Sequence, residues 1–324
     1  MPKAIRFYQH GGVEVLKWED VELPPTGVHE VLVRHGAIGI NYSDVYRRTG
    51  LYPTALPSGM GSEAAGVIEQ VGRRVRGVKR GDRVAYVVSD PAGAYATERV
   101  LAAEELVKIP AGVSEEQAAA ALLKGLTCWY LLRQTHRVRR GQTVLITAAA
   151  GGVGLILAQW ARALGAQVIG AVGSQPKARL ARRYGGQRVL IGYQDMAAQV
   201  RKLTRGKGVD VVYDSVGKDT FHASLDSLRP RGLMVSFGNA SGPVPPFAPL
   251  ELSAHGSLFI TRPRLLDYVD SSRTRRTAAR ELFALIKRGK VRVHVGQRYA
   301  LQDAAQAQQD LEERRTTGST VLLP

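Results

Sequence analysis

The chain has 324 residues, of which 44% are hydrophobic and 23% charged, with one cysteine and a formal net charge of +17. That length suits two domains better than one, and no stretch approaches the ~20 consecutive apolar residues of a membrane-spanning helix. The lone cysteine, Cys128, excludes an intramolecular disulfide framework and a multi-thiolate zinc site.

The opening stretch "MPKAIRFYQHGG" alternates like a β-strand and lacks the apolar core of a signal peptide, so a cytoplasmic protein is expected. Up to about residue 120 the chain reads as short strands bounded by Gly, Pro or Asp. Examples are "EVLVRHGAIGI", "EAAGVIEQVG", "GDRVAYVV" and "AYATERVLA". This is the texture of an antiparallel, partly barrel-like β domain. In "LLKGLTCWYLL" the Cys128 thiol reads as a packed core group rather than a nucleophile.

From about residue 125 strands and helices alternate. "TVLIT" precedes a helix expected over Val153 to Leu164, whose apolar positions Val153, Ile156, Leu157, Trp160, Ala161 and Leu164 form one continuous face. Gly165 stands where a left-handed C-terminal cap is wanted. The strands "QVIGAV", "RVLIGY", "VDVVYDSV", "LMVSFG" and "SLFIT" follow, with helices over "PKARLARRY", "MAAQVRKLT" and "TFHASLDSL". Six strands with helical crossovers predict a doubly wound parallel sheet. The tail carries the helix "ARELFALIKRG", the strand "VRVHV" and the helix "QDAAQAQQDLEER". An α/β protein results: a β-rich domain over residues 1–124, completed by residues 263–324 and interrupted by a nucleotide-binding domain over residues 125–262.

The junction "TVLITAAAGGVG" places Gly151, Gly152 and Gly154 at the opening of that first helix. Each glycine costs helix stability, roughly 1 kcal/mol against alanine. A bare backbone there lets a pyrophosphate come close, and the helix N-terminus supplies N–H donors and partial positive charge. The spacing is Ala148-x-x-Gly151-x-x-Gly154, with alanine at the first glycine position. Its placement after a strand and before an amphipathic helix makes it a dinucleotide signature.

An NAD-selective site places an acid at the end of the second strand, about 20 residues on. Here that strand ends at Val172 and no Asp or Glu occurs from Gln117 to Gln194, while Ser174, Lys177, Arg179, Arg182 and Arg183 follow closely. A hydroxyl and cations suit a 2′-phosphate, so the charge pattern selects NADPH. The remaining arginines are scattered, as at Arg73, Arg74 and Arg76 or Arg273, Arg275 and Arg276, with no RNA-binding signature beside them. Nucleic acid is therefore not expected to be the main partner.

The segments "AIGINYSDVYRRTGLYP", "GSEAAGVIEQVG", "GDRVAY", "LLKGLTCWYLL", "AAAGGVG", "VVYDSVG", "RGLMVSFGNASG" and "GSLFITRP" together closely resemble the NADPH:quinone oxidoreductases. These form the zinc-free, zeta-crystallin-like branch of the medium-chain dehydrogenase/reductase superfamily. The resemblance runs to the closing "TTGSTVLLP". It implies a GroES-like catalytic domain, a Rossmann domain, NADPH in the cleft between them, and a homodimer joined through Rossmann-domain strands with "SLFIT" at the edge. It also implies that Asn41, Tyr46 and Tyr52 are the catalytic side chains lining the nicotinamide end, with Thr127 nearby. By the same resemblance Gly151, Gly152 and Val153 hold the pyrophosphate. Gly173, Ser174, Lys177 and Tyr193 surround the 2′-phosphate. Ser215, Phe237 and Gly238 line the coenzyme groove, with Arg262 and Arg314 near the site. In "IGY" Gly192 replaces an asparagine common in relatives, and "PVPPFAPLEL" is unusually rich in proline.

Zinc-dependent members carry a cysteine near the position of Asn41 and a histidine in the turn that here reads Gly61-Ser62-Glu63. The histidines show no paired metal spacing either, so no metal is expected. The implied reaction is hydride or electron transfer from nicotinamide to a quinone, with catalysis mainly from holding the two together. Tyr46 and Tyr52 serve either as a stacking wall or hydrogen-bond donor, or as packing under the coenzyme; Asn41 orients a carboxamide or a water. Alternatives are an NADPH-dependent reductase of activated C=C bonds and, from another class, an NADPH-regulated RNA-binding protein.

Overall fold

The computed structural model describes residues 1–88 and 92–324. In chain order the first strands are β1 (Lys3–Phe7), β2 (Lys17–Asp20), β3 (Glu30–Gly39), β4 (Ser58–Gly59), β5 (Glu63–Val71), β6 (Arg83–Val87), β7 (Glu98–Ala102) and β8 (Leu106–Lys108), with helices α1 (Tyr42–Arg48) and α2 (Glu115–Tyr130). Next come β9 (Thr143–Ile146), α3 (Gly152–Ala163), β10 (Gln167–Val172), α4 (Gln175–Arg183), β11 (Arg188–Ile191), α5 (Met196–Leu203), β12 (Val209–Asp214), α6 (Phe221–Ser227), β13 (Leu228–Ser236), α7 (Leu250–Ala254) and β14 (Phe259–Thr261). The chain closes with α8 (Leu265–Tyr268), α9 (Ser272–Lys287), β15 (Val295–Ala300), α10 (Ala304–Glu312) and β16 (Ser319–Leu323). It divides into two compact units: residues 1–124, 271–287 and 293–324 form one, and residues 125–270 with 288–292 form the other.

In the first unit β3 is the central strand. Along one side it pairs antiparallel with β5; along the other it pairs with β7 at Glu30–Arg34 and with β16 at Ile38 and Gly39. Register shifts at Leu32/Val33 and His35/Ala37 bend it, as bulges do where a sheet curls toward a barrel. Val31, Val33, Ile38, Ile68, Val84, Tyr86 and Leu322 fill the interior. Two features depart from the sequence reading. The strand expected at "VRVHV" lies later, at β15, because its register is set by parallel pairing with β16, with a shift at Gly296. Helices α1 and α2 stand where only short strands are expected, and α2 gives no amphipathic period because Ala118, Ala119, Ala120, Ala121, Leu122 and Leu126 are all fully buried.

The second unit is a parallel sheet whose strand order among the described residues is β11-β10-β9-β12-β13-β14. Chain order reverses beside β9, as in the doubly wound fold. Because the strands are parallel, all their carboxyl ends open on one edge. On α3 the expected apolar residues Ile156, Leu157, Trp160 and Ala161 are buried, but so is every other residue from Gly154 to Ala161, while Val153 and Leu164 are half-buried, so the helix is covered on all sides and not along one face. The helix stops at Ala163, and Gly165 follows with φ of 87°.

Candidate active site

The turn between β9 and α3 is built around Ala148, which holds φ at +46°. That region costs an L-residue roughly 1–2 kcal/mol, which explains why such turns favour glycine there. Gly151 caps α3 with no side-chain cap bond, and no acidic residue lies in the helix's first turn. The helix start therefore presents its orphan N–H groups and positive dipole end without an internal anion to neutralise them. This suits a diphosphate.

The neighbouring strand ends supply the other predicted residues. Beyond β10 come exposed Gly173, where an added Cβ meets nothing within 4 Å, and Ser174, whose hydroxyl makes no cap bond. Half-buried Lys177 stands in the first turn of α4, which contains no acid. A cation at a helix N-terminus opposes the dipole, so helix stability alone does not favour its placement there. Tyr193 lies just past β11, after Gly192 with φ of 82°, and is half-buried. Ser215 follows β12, Phe237 and Gly238 follow β13, and Arg262 follows β14. Each of these residues occupies the carboxyl edge, where ligands bind in open α/β sheets.

Asp214 ties these loops together. Fully buried, it accepts hydrogen bonds from the Thr147, Thr220 and Ser224 hydroxyls at 3.2, 2.7 and 2.7 Å and from the Val216 and Gly217 amides at 2.8 and 3.1 Å. The Ser215 amide in turn donates to Thr147 Oγ1 at 3.0 Å. A Cβ on Gly238 would lie 2.5 Å from the Ser215 carbonyl oxygen, so only glycine fits beside that loop.

In the first unit Asn41, Tyr46 and Tyr52 fall together around α1. The Tyr46 and Tyr52 rings meet edge-on at 5.1 Å, and the Tyr52 amide donates to the Tyr46 carbonyl at 2.9 Å. Arg314, exposed at the end of α10, acts electrostatically on Tyr42, whose ring lies 5.8 Å from Tyr46. Thr127 is buried on α2 and belongs to the second unit.

Beneath α1 lies a polar cluster that sequence reasoning missed. The Asn41 side chain donates to Glu63 Oε1 and accepts from Lys124 Nζ, both at 2.9 Å. Asp44 receives the Asn41 amide at 2.9 Å and the Tyr95 hydroxyl at 3.0 Å. Burial pushes the Asp44 carboxyl up to about 6, with nearby Arg47 opposing the shift. The available signal was Lys124 alone inside the apolar run "AAAALLKGLTCWY": a buried lysine needs a partner. Cys128 is fully buried and burial raises its thiol well above the usual range, consistent with a packing role.

Two family models match, the alcohol dehydrogenase GroES-like domain over residues 27–111 and the zinc-binding dehydrogenase over residues 152–287. The chain is 54% identical over 326 residues to a quinone oxidoreductase of Pseudomonas aeruginosa, covering 100% of both chains. It is 43% identical over 332 residues to a 2-haloacrylate reductase of a Burkholderia species, covering 100% of this chain and 99% of the relative. Among solved structures, the Escherichia coli quinone oxidoreductase complexed with NADPH superposes with a TM-score of 0.96 at 47% identity, covering 99% of this chain and 100% of the other. Matches of this strength along the whole length place the chain in the quinone oxidoreductase family of the medium-chain dehydrogenase/reductase superfamily.

Proposed function

We propose that this chain is an NADPH-dependent quinone reductase. The observation that carries the reading is the uncapped glycine turn followed, at the next strand end, by Ser174 and Lys177, with no acid in the first turn of α4, in a chain similar throughout to quinone oxidoreductases. Gly151, Gly152 and Val153 hold the diphosphate; Gly173, Ser174, Lys177 and Tyr193 take the 2′-phosphate. Ser215, Phe237, Gly238 and Arg262 flank the coenzyme, with Thr127 and Arg314 as further contacts. Bound NADPH supplies the hydride. Asn41, Tyr46 and Tyr52 orient the reactants and exclude water.

Zinc has no part in this reading, although one matched family model carries the metal in its name. The turn where zinc-dependent members carry a histidine reads Gly61-Ser62-Glu63 here, and the Glu63 carboxylate is engaged by Lys124, Asn41 and the Leu123 amide. A homodimer through β14 belongs to the same proposal, because among the described residues that edge strand pairs on one side only, with β13, and Phe259 is 61% exposed on it. So does a cytoplasmic setting. Among the described residues no helix is long and apolar enough to cross a membrane.

A second reading, reduction of an activated C=C bond, draws on the similarity to the 2-haloacrylate reductase. Quinones are preferred because the quinone oxidoreductase match has the higher identity. Parallel initial-rate assays of NADPH oxidation with 1,4-benzoquinone, a 2-haloacrylate and a 2-alkenal separate the two. Turnover with benzoquinone is expected. Turnover with the C=C acceptors alone overturns the proposal.

A further inference from the structure

The Asn41 amide is held by two charged side chains from separate elements. Lys124 Nζ lies 2.9 Å from Asn41 Oδ1 and 2.9 Å from Glu63 Oε1, and Asn41 Nδ2 lies 2.9 Å from that same carboxylate oxygen. An ammonium can only donate and an ionised carboxylate can only accept. The amide oxygen must therefore face Lys124 and its nitrogen must face Glu63. A flip would set NH₂ against the ammonium and oxygen against the carboxylate. Solvent gives little relief, since Glu63, Lys124 and Asn41 are only 0%, 5% and 7% exposed. One Nδ2 hydrogen is committed to Glu63; the other has no partner among the described residues.

We propose that Lys124 is a positioning residue for the reaction: with Glu63 it locks the Asn41 amide so that the second Nδ2 hydrogen is always offered, as a donor, to a carbonyl oxygen of a bound ligand. The inference rests on the quinone reductase reading and supplies the group behind Asn41 that the reading left unnamed. The oxygen belongs either to the quinone or to the nicotinamide carboxamide. In the overall reaction NADPH loses a hydride to the quinone, the resulting hydroquinone anion takes a proton from water, and NADP⁺ is left. A quinone oxygen gains negative charge as the hydride arrives, and a donor fixed in place and backed by a buried ammonium stabilises it.

The test is the double variant Lys124→Met/Glu63→Gln, which leaves no buried charge unpaired, with Asn41→Ala alone and combined with it. Thermal unfolding checks the fold. The double variant is expected to lose about 10- to 100-fold in kcat/KM for 1,4-benzoquinone with NADPH Kd unchanged if the oxygen is the quinone's. A matching loss in NADPH Kd is expected if it is the carboxamide's. Either loss should not deepen when Asn41→Ala is added, because the residues act as one unit. A folded double variant that keeps both parameters, or losses that add to those of Asn41→Ala, would overturn the inference. Should the double variant not fold, ¹⁵N-labelled wild type decides: an Asn41 Nδ2 hydrogen shifts on adding NADPH or hydroquinone, and no shift with either overturns it. Wild type inert to benzoquinone would remove the proposed function as well, whereas an unaffected variant of an active wild type removes this inference alone.

Discussion

Gly154 lies against Ala148 so closely that a Cβ on it would sit 2.5 Å from the Ala148 carbonyl oxygen and 2.8 Å from Ala149 Cα, whereas a Cβ on Gly151 would meet only that oxygen, at 3.3 Å. The two glycines answer to different demands, Gly154 to the seating of α3 on the sheet and Gly151, under the proposed function, to the coenzyme diphosphate. Gly154→Ala should therefore lose about 1–3 kcal/mol of stability by overpacking. Gly151→Ala should stay within about 1 kcal/mol of wild type yet bind NADPH about tenfold more weakly. Urea unfolding and coenzyme titration separate the two effects.

The position of Lys177 predicts coenzyme choice. Removing a charge-assisted hydrogen bond to phosphate costs about 1.5–3 kcal/mol, or roughly 10- to 150-fold. Lys177→Ala should weaken NADPH by about that factor and leave NADH unchanged, as measured by calorimetry with both coenzymes. Equal losses for both would mean that Lys177 does not meet the 2′-phosphate.

Acid stability carries two opposed contributions from the first unit. Burial raises the Asp44 carboxyl from 3.8 to about 6 and lowers buried His35 from 6.5 to about 4. The Asp44 contribution is fully present below its unfolded value and is lost as pH rises through 6; the His35 contribution is present above 6.5 and is lost as pH falls through 4. Asp44→Asn should consequently lose about 1 kcal/mol more than wild type between pH 7 and pH 5, and His35→Gln should show the reverse. Unfolding midpoints at the two pH values check both signs.

Asp214 accepts bonds from three hydroxyls and two amides while fully buried. Asp214→Asn turns an amide NH₂ toward some of those donors, which should cost about 3 kcal/mol or more in urea unfolding and weaken NADPH binding through the Ser215 loop. Wild-type stability in this variant would show that the bonds are dispensable.

Much of the second unit is legible in the sequence. The period of Ile156, Leu157, Trp160 and Ala161, the glycine spacing and the missing acid after Val172 are local signals within single elements, and those elements stand where the pattern put them. The cluster under α1 was not readable, because Asn41, Glu63 and Lys124 come from distant parts of the chain and meet only through the β3–β5 pairing and the packing of α2. Even the glycine at 39 gets its meaning there: a Cβ would lie 2.3 Å from the Ala119 carbonyl oxygen and 2.4 Å from Glu63 Oε1. β15 was misplaced for a related reason, since β-branched content marks a strand and only its partner sets where pairing begins.

The most direct measurement compares initial rates of NADPH and NADH oxidation with 1,4-benzoquinone as acceptor. Consumption of NADPH at a kcat/KM at least about tenfold above that for NADH is the expected result. No oxidation of NADPH, or a preference for NADH, would contradict the assignment of Ser174 and Lys177 to a 2′-phosphate and with it the proposed function.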